Sequence, residues 1–323
     1  MSAKQRRRHL NQQGAMIIVT AAGLLLLLGI AGLVLDLGQL YVIKSELQRA
    51  ADAGAMAGVR SLYPYPLNEA TLPLTPKCSE ALNMGRTICQ DNLVDGSNAV
   101  IADIRTGFWN WANSSFIPGC ASSPFSNALT LTVSRNNISW TLMGVFGLAP
   151  GSLQATSLAV MDWVGKLEQG AAFVLVIGKD YVQKGDVIIY LNPDPLDGGG
   201  WYAKDPDKPT NNLIRNYLAD PASIPALKVG DTVNLNNGAW GNVMSILADN
   251  WVGKTVWAPV VDTQKFNKSA PVLGFAALNI TEVNTKGHKY IRGNVPALSD
   301  VPQTMSDPGG ANYGLLSAPR LVQ

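Results

Sequence analysis

Hydrophobic and polar positions divide this chain unevenly. Ala15 to Leu35 is a run of 21 uncharged, mostly apolar residues, with Lys4, Arg6, Arg7 and Arg8 before it and Asp36 directly after. As a helix rising about 1.5 Å per residue, the run is roughly 30 Å long, the thickness of a bilayer's hydrocarbon core. A helix bonds its own backbone groups, so it can cross lipid without orphaned N–H and C=O groups. No proline occurs from Leu37 to Arg60, and Leu37, Leu40, Tyr41, Leu47, Ala51 and Gly54 recur near helical spacing. Glu46, Arg49, Asp52 and Arg60 mark a polar side, and Pro64 and Pro66 end the pattern. The pattern predicts one long helix, with a transmembrane part at 15–35 and an extension at 36–60.

A cleaved secretory signal also opens with basic residues and an apolar run, but its core is about 7–15 residues and a small-residue cleavage site follows closely. Here the run is longer, and Asp36-Leu37-Gly38-Gln39-Leu40-Tyr41 follows it. An anchor is therefore preferred to a signal or to a buried soluble helix. Lys4, Arg6, Arg7 and Arg8 act as topology determinants, because positive flanks stay in the cytoplasm. Residues 1–14 then form a cytoplasmic basic tail, and the remainder lies outside.

Beyond the extension, 61–165 reads as an α+β region: irregular at first, a short helix near Ser79 to Asn92, strands at 98–109 and 129–135, a short apolar helix at 138–148 and a strand at 153–161. A second, β-rich α+β region spans 166–296. Its expected strands are 173–177 and 186–191, paired as a hairpin, then 227–235, 255–261, and a second hairpin of 272–283 with 288–295. Helices are expected at 211–218 and 238–248. Gly198-Gly199-Gly200 reads as a turn, and 297–323 as a flexible tail. The fold class is α+β: a long N-terminal helix, then a mostly antiparallel exterior domain with short helices.

Charge changes the picture little. The chain has 25 Lys+Arg and 23 Asp+Glu; with the N-terminal cluster set aside, 21 basic face 23 acidic groups. The pI near 8.3 is a topology signal, and nothing points to nucleic acid as a partner. Of three cysteines, Cys78 and Cys89 bracket a short segment, and export would permit a bridge between them, leaving Cys120 over or exchanged; three free thiols is the alternative. With His9 and His288 the only histidines and no C-x-x-C, no metal site is expected. No G-x-S-x-G, H-E-x-x-H or G-x-G-x-x-G occurs, so no enzyme activity and no cofactor are expected. His288 reads as a solvated turn residue, and the eight tryptophans as packing groups rather than a sugar platform.

Ala50, Gly54 and Gly58 fall at i, i+4 and i+8, on one helix face. Glycine inside a helix costs about 1 kcal/mol against alanine, so this face implies close packing, either on a partner helix or on the chain's own strands.

Several local sequences also coincide: Gln12-Gln13-Gly14-Ala15, then Gly29 to Tyr41 with its D-x-G-x-x-Y, then Leu47-Gln48-Arg49-Ala50-Ala51-Asp52-Ala53-Gly54-Ala55. Over about residues 12 to 60 this resembles the N-terminal module of bacterial Flp pilus-assembly proteins of the TadG-like kind, part of the tight-adherence (Tad) system. A weaker likeness covers about 128 to 162. The resemblance implies a single-pass inner-membrane protein with a structural, protein-binding role, whose partners are other pilus-assembly proteins or pilin-like subunits. The alternative is an anchored adhesin or ligand-binding module unrelated to pili. Two departures stand out. The Asp-x-Ser-x-Ser motif of larger relatives is absent. Cleavage after Gly14 would place Val19 where processed pilins carry Glu, so the segment is expected to remain as an anchor.

Overall fold

The computed structural model describes residues 3–63, 75–121, 125–182, 186–191, 198–296, 299–301 and 305–322. Side chains of 3–15 are outside that description, so Lys4, Arg6, Arg7 and Arg8 are placed only as backbone of the first helix. The expected irregular stretch at 64–74 and part of the loop at 192–197 also lie outside the described residues.

The architecture is α+β: a long apolar N-terminal helix, then antiparallel sheets with a few short helices. The chain divides into two compact units. The first holds residues 1–55, 83–104 and 130–158; the second holds 56–82, 105–129 and 159–323.

Helix α1 is continuous over Ala3–Arg60. Pro64 is the first proline in the chain, so nothing interrupts the i to i−4 ladder before it. From Met16 to Leu28 every side chain is exposed. A covered stripe begins at Gly32 and continues through Asp36, Ile43, Leu47, Ala50 and Ala51 to Gly54 and Ala55, the i, i+3/i+4 spacing of one helix face. In the same unit lie most of helix α2 (Cys78–Asp91), the hairpin β1 (Leu93–Val94) and β2 (Ser97–Asn98), and parts of β3 (Val100–Asn110). β4 (Ser115–Pro118) belongs to the second unit, while β5 (Ala128–Ile138) and β6 (Gly151–Val160) contribute to both.

Between β5 and β6, where an apolar helix is expected at 138–148, only a single 3₁₀ turn forms at Met143–Phe146. Gly147 ends it with φ of 81°, and Pro150 follows, leaving too few residues for an α-helix.

The second unit is built on a seven-stranded sheet. Its strands are β8 (Leu175–Gly178), β9 (Asp186–Tyr190), β10 (Gly199–Lys204), β12 (Thr232–Asn236), β13 (Thr255–Val261), β14 (Ala270–Asn284) and β15 (Tyr290–Asn294), in the order β12-β10-β8-β13-β14-β15-β9. β12 also pairs β14, so five of these strands close into a ring. Only β8 with β13 runs parallel within it. The expected β14–β15 hairpin is present. The expected hairpin of 173–177 with 186–191 is not: β8 lies between β10 and β13, and β9 pairs β15 at the far edge. Short helix α3 (Lys179–Val182) follows β8 directly.

Gly199 and Gly200, expected in a turn, lie inside β10. A Cβ on Gly199 would sit 2.2 Å from the Val176 carbonyl oxygen, and one on Gly200 2.9 Å from that of Asn236. These glycines allow close strand approach rather than a bend.

Helix α4 (Asn211–Ala219) starts at Thr210, whose hydroxyl accepts from the Leu213 N–H, and buries Ile214, Tyr217 and Leu218. Helix α5 (Gly241–Asn250) buries Val243, Met244 and Leu247. With Trp201, Tyr202, Phe266 and Phe275 they form one apolar core.

β7 (Val164–Leu167) pairs β11 (Leu227–Lys228) on one side and β17 (Ser306–Pro308) on the other. β16 (Ser299–Val301) pairs β18 (Leu315–Ser317), and β19 (Arg320–Leu321) pairs β6. The segment beyond 297, expected to be flexible, therefore contributes four short strands to sheets among its described residues.

Candidate functional site at the end of the apolar run

The feature that ties sequence pattern to local geometry is the stretch Gly32–Asp36 of α1. Asp36 is only 2% exposed. Its carboxylate accepts from three successive backbone N–H groups: Thr141 at 2.6 Å, Leu142 at 3.3 Å and Met143 at 2.8 Å. These groups open the 3₁₀ turn, whose first donors have no partner within the turn, so Asp36 caps it from a distant helix. Burial raises the carboxyl's pKa, but the three N–H bonds outweigh it and hold the group below its usual range.

One turn earlier, a Cβ on Gly32 would lie 2.6 Å from the Leu142 Cβ. Glycine is thus what lets Leu142 meet the α1 backbone. Farther along the same unit, the Lys44 ammonium donates to the Gln154 carbonyl, and Glu46 accepts from the Asp95 N–H at 2.8 Å. Asp95 in turn pairs with Arg135 at 2.9 Å.

The small-residue face is also explained within the unit. Ala50 is fully buried. A Cβ on Gly54 would fall 2.8 Å from the Gly85 carbonyl oxygen, the Cys89 Cβ and the Leu131 Cδ1. At Gly54 the chain's own α2 and β5 fill the space, so no partner helix is required there. Gly58, which belongs to the second unit, is buried as well.

The cysteines are not arranged as expected. Cys78 is bonded to Cys120, with Cα atoms 6.1 Å apart, and Cys89 is a free, buried thiol. Cys78 and Cys89 stand at opposite ends of α2, 11 residues apart. At 1.5 Å per residue that is about 16 Å, far beyond the roughly 4.4–6.8 Å a disulfide spans. Burial pushes the Cys89 thiol up to about 11.

Among the described residues no three His, Cys, Asp or Glu side chains converge on a metal-sized site. His288 is exposed at the β14–β15 turn. Trp109, Trp163 and Trp201 are buried, and Trp201 stacks on Trp240 at 5.8 Å. The second unit contains a cavity of about 140 Å³ whose walls include Phe173, Tyr217, Trp251 and Trp257 and no carboxylate, lysine or histidine. Sequence reading gave no sign of that cavity, because its walls come from segments some 80 residues apart.

Comparison with known proteins adds one finding. Residues 14–61 match the family described as Flp pilus-assembly TadE/G-like. That stretch holds the apolar run, Gly32, Asp36 and the small-residue face. No curated protein and no solved structure matches the chain.

Proposed function

Because residues 14–61 carry a TadE/G-like module, we propose that the protein is a single-pass component of a Flp/Tad-type pilus-assembly or secretion apparatus. Its role in this reading is structural and protein-binding, with no enzymatic step and no cofactor. The anchor lies in a bacterial inner membrane, residues 1–14 stay cytoplasmic, and the residues after the anchor lie in the periplasm or beyond, where they meet other assembly proteins or pilin-like subunits.

The observation that carries this reading is the coincidence of the family match with a helix long and apolar enough to cross a membrane, bare from Met16 to Leu28. Bare apolar side chains on a helix are costly in water and cost nothing in lipid. The one-sided basic cluster supports the orientation.

Deletion of the chain in its host, with complementation, tests the role: loss of surface pili that the intact chain restores is expected. Normal piliation of the deletion strain together with lost adhesion would instead favour the anchored adhesin. A periplasm-dependent reporter fused after Arg60 should be active; inactivity there and at Gln323 overturns the orientation.

A further inference from the structure

The turn between β5 and β6 presents apolar side chains at the level where α1 ends its uncharged run. Asn136 to Met161 contains no charged residue. Val145 is 80% exposed and Leu148 48%, while Leu142 and Met143 are half-covered. Trp140 flanks the turn and is also half-covered.

The contacts of α1 fix the depth of this turn. Leu142 meets α1 at Gly32, three residues inside the end of the uncharged run, about 5 Å along the helix axis. Asp36, at the first charged position, binds the N–H groups of Thr141 to Met143. If 15–35 crosses the bilayer, Leu142 stands at the boundary between headgroups and acyl chains. Amphipathic elements seat their apolar faces roughly 5–10 Å into that zone, and tryptophan is enriched in it. An aspartate so close to lipid needs its charge compensated, and three N–H donors do so.

We propose that the Leu142–Leu148 turn is a second membrane contact: a short apolar foot, clamped to α1 through Gly32 and Asp36, that enters the outer-leaflet interface. The occupant of this surface is lipid. With the turn seated in the interface, the first unit has two attachments to the bilayer instead of a single tether. The inference rests on the anchor reading of 15–35.

The test uses the full chain in phosphatidylcholine vesicles, with Val145→Cys carrying a polarity-sensitive thiol dye. The unsubstituted chain controls for labelling, since Cys89 is buried and the other two cysteines are bonded. A parallel Leu26→Cys variant reports on the anchor, because Leu26 is bare and central in the run. The expected result at 145 is loss of fluorescence with lipid nitroxides placed near the headgroup and little loss with iodide on both sides of the bilayer. At 26, nitroxides near the acyl-chain ends should quench. Quenching at 26 with an iodide-accessible 145 overturns the foot and leaves the anchor standing. Absence of lipid quenching at 26 overturns the anchor and the foot with it. Protection of 145 from both quenchers means that protein covers the turn, and also overturns the proposal.

Discussion

Gly54 of α1 lies so close to Cys89 of α2 that a Cβ added to it would be 2.8 Å from the Cys89 Cβ, and equally close to the Gly85 carbonyl. That backbone oxygen cannot rotate away. Gly38, on the same helix, has nothing within 4 Å of its would-be Cβ. The two glycines therefore answer oppositely to alanine. Gly38→Ala gains helix propensity worth up to about 1 kcal/mol with no clash. Gly54→Ala gains the same propensity but overpacks the site, which costs about 1–3 kcal/mol, and Gly54→Leu costs more. Thermal melts of the full chain in detergent should rank Gly38→Ala above, and Gly54→Ala and Gly54→Leu below, the unsubstituted protein. Equal melting of all four would refute the close-packing account. Should Gly38→Ala be stable yet fail to support piliation, Gly38 would belong to a partner contact.

Asp36 makes a separate prediction, read in local order. Asp36→Ala leaves the N–H groups of Thr141, Leu142 and Met143 without their acceptor, and Asp36→Asn replaces one of the two accepting oxygens with an NH2 donor that faces an N–H. Both should speed hydrogen exchange at these three amides, alanine the more, and leave the β14–β15 hairpin unchanged. The pH response has a definite sign. The folded carboxyl lies below its ordinary value of 3.8, so its stabilisation is complete above that value and is lost as pH falls through the lower folded value. The clamp should hold at neutral pH and loosen only in acid below about pH 4. Loosening between pH 6 and 8 would contradict it.

The elements that could be read from the sequence are those whose period outlasts local noise. α1 runs for 58 residues without proline. β13 shows at its full length, and β14 with β15 shows through the Asn284-Thr285-Lys286-Gly287 turn. What could not be read was pairing between distant segments. β8 and β9 look like a hairpin because they are near in sequence, yet the sheet inserts three strands, β13, β14 and β15, between them. Gly199 and Gly200 look like a turn because glycine usually marks one, and only the neighbouring carbonyls show why a strand needs them. Asp36 was legible as a member of a motif and as the end of the run. Its partners, about 105 residues away, are backbone groups with no sequence signature.

Beyond Pro296 the described strands are only two or three residues long, and Gly309-Gly310 follows β17 directly, so they are too short for alternation to show. Packing supplies what pattern does not. Leu315 and Leu316 are each 1% exposed. A Cβ on Gly310 would lie 1.9 Å from the Val164 carbonyl oxygen, and Arg320 bonds both the Ser306 carbonyl and Asp307. Leu316→Ala should therefore cost about 2–5 kcal/mol, as buried leucines do, whereas a residue on a free tail would cost nothing. Truncation after Pro296 should lower the melting point and open β7 to exchange. An unchanged melt on truncation would show that these strands add no stability.

The disulfide offers the last test, because spacing in sequence and position in the fold give different partners for Cys78. Nearness in sequence favours Cys89, but α2 holds the two at its opposite ends, and Cys120 is the residue bonded. Peptide mapping without reductant should join the Cys78 and Cys120 peptides and recover Cys89 as a thiol. With its pKa near 11 and no exposed surface, Cys89 should resist alkylation at neutral pH until the protein is denatured. The bridge closes a segment of 42 residues, worth about 4 kcal/mol in the chain-entropy account. Reduction, or Cys120→Ser, should lower the melting point by several degrees, while Cys89→Ala should change it less. A Cys78–Cys89 peptide would require α2 to be broken, and would overturn both the pairing and the continuity of that helix.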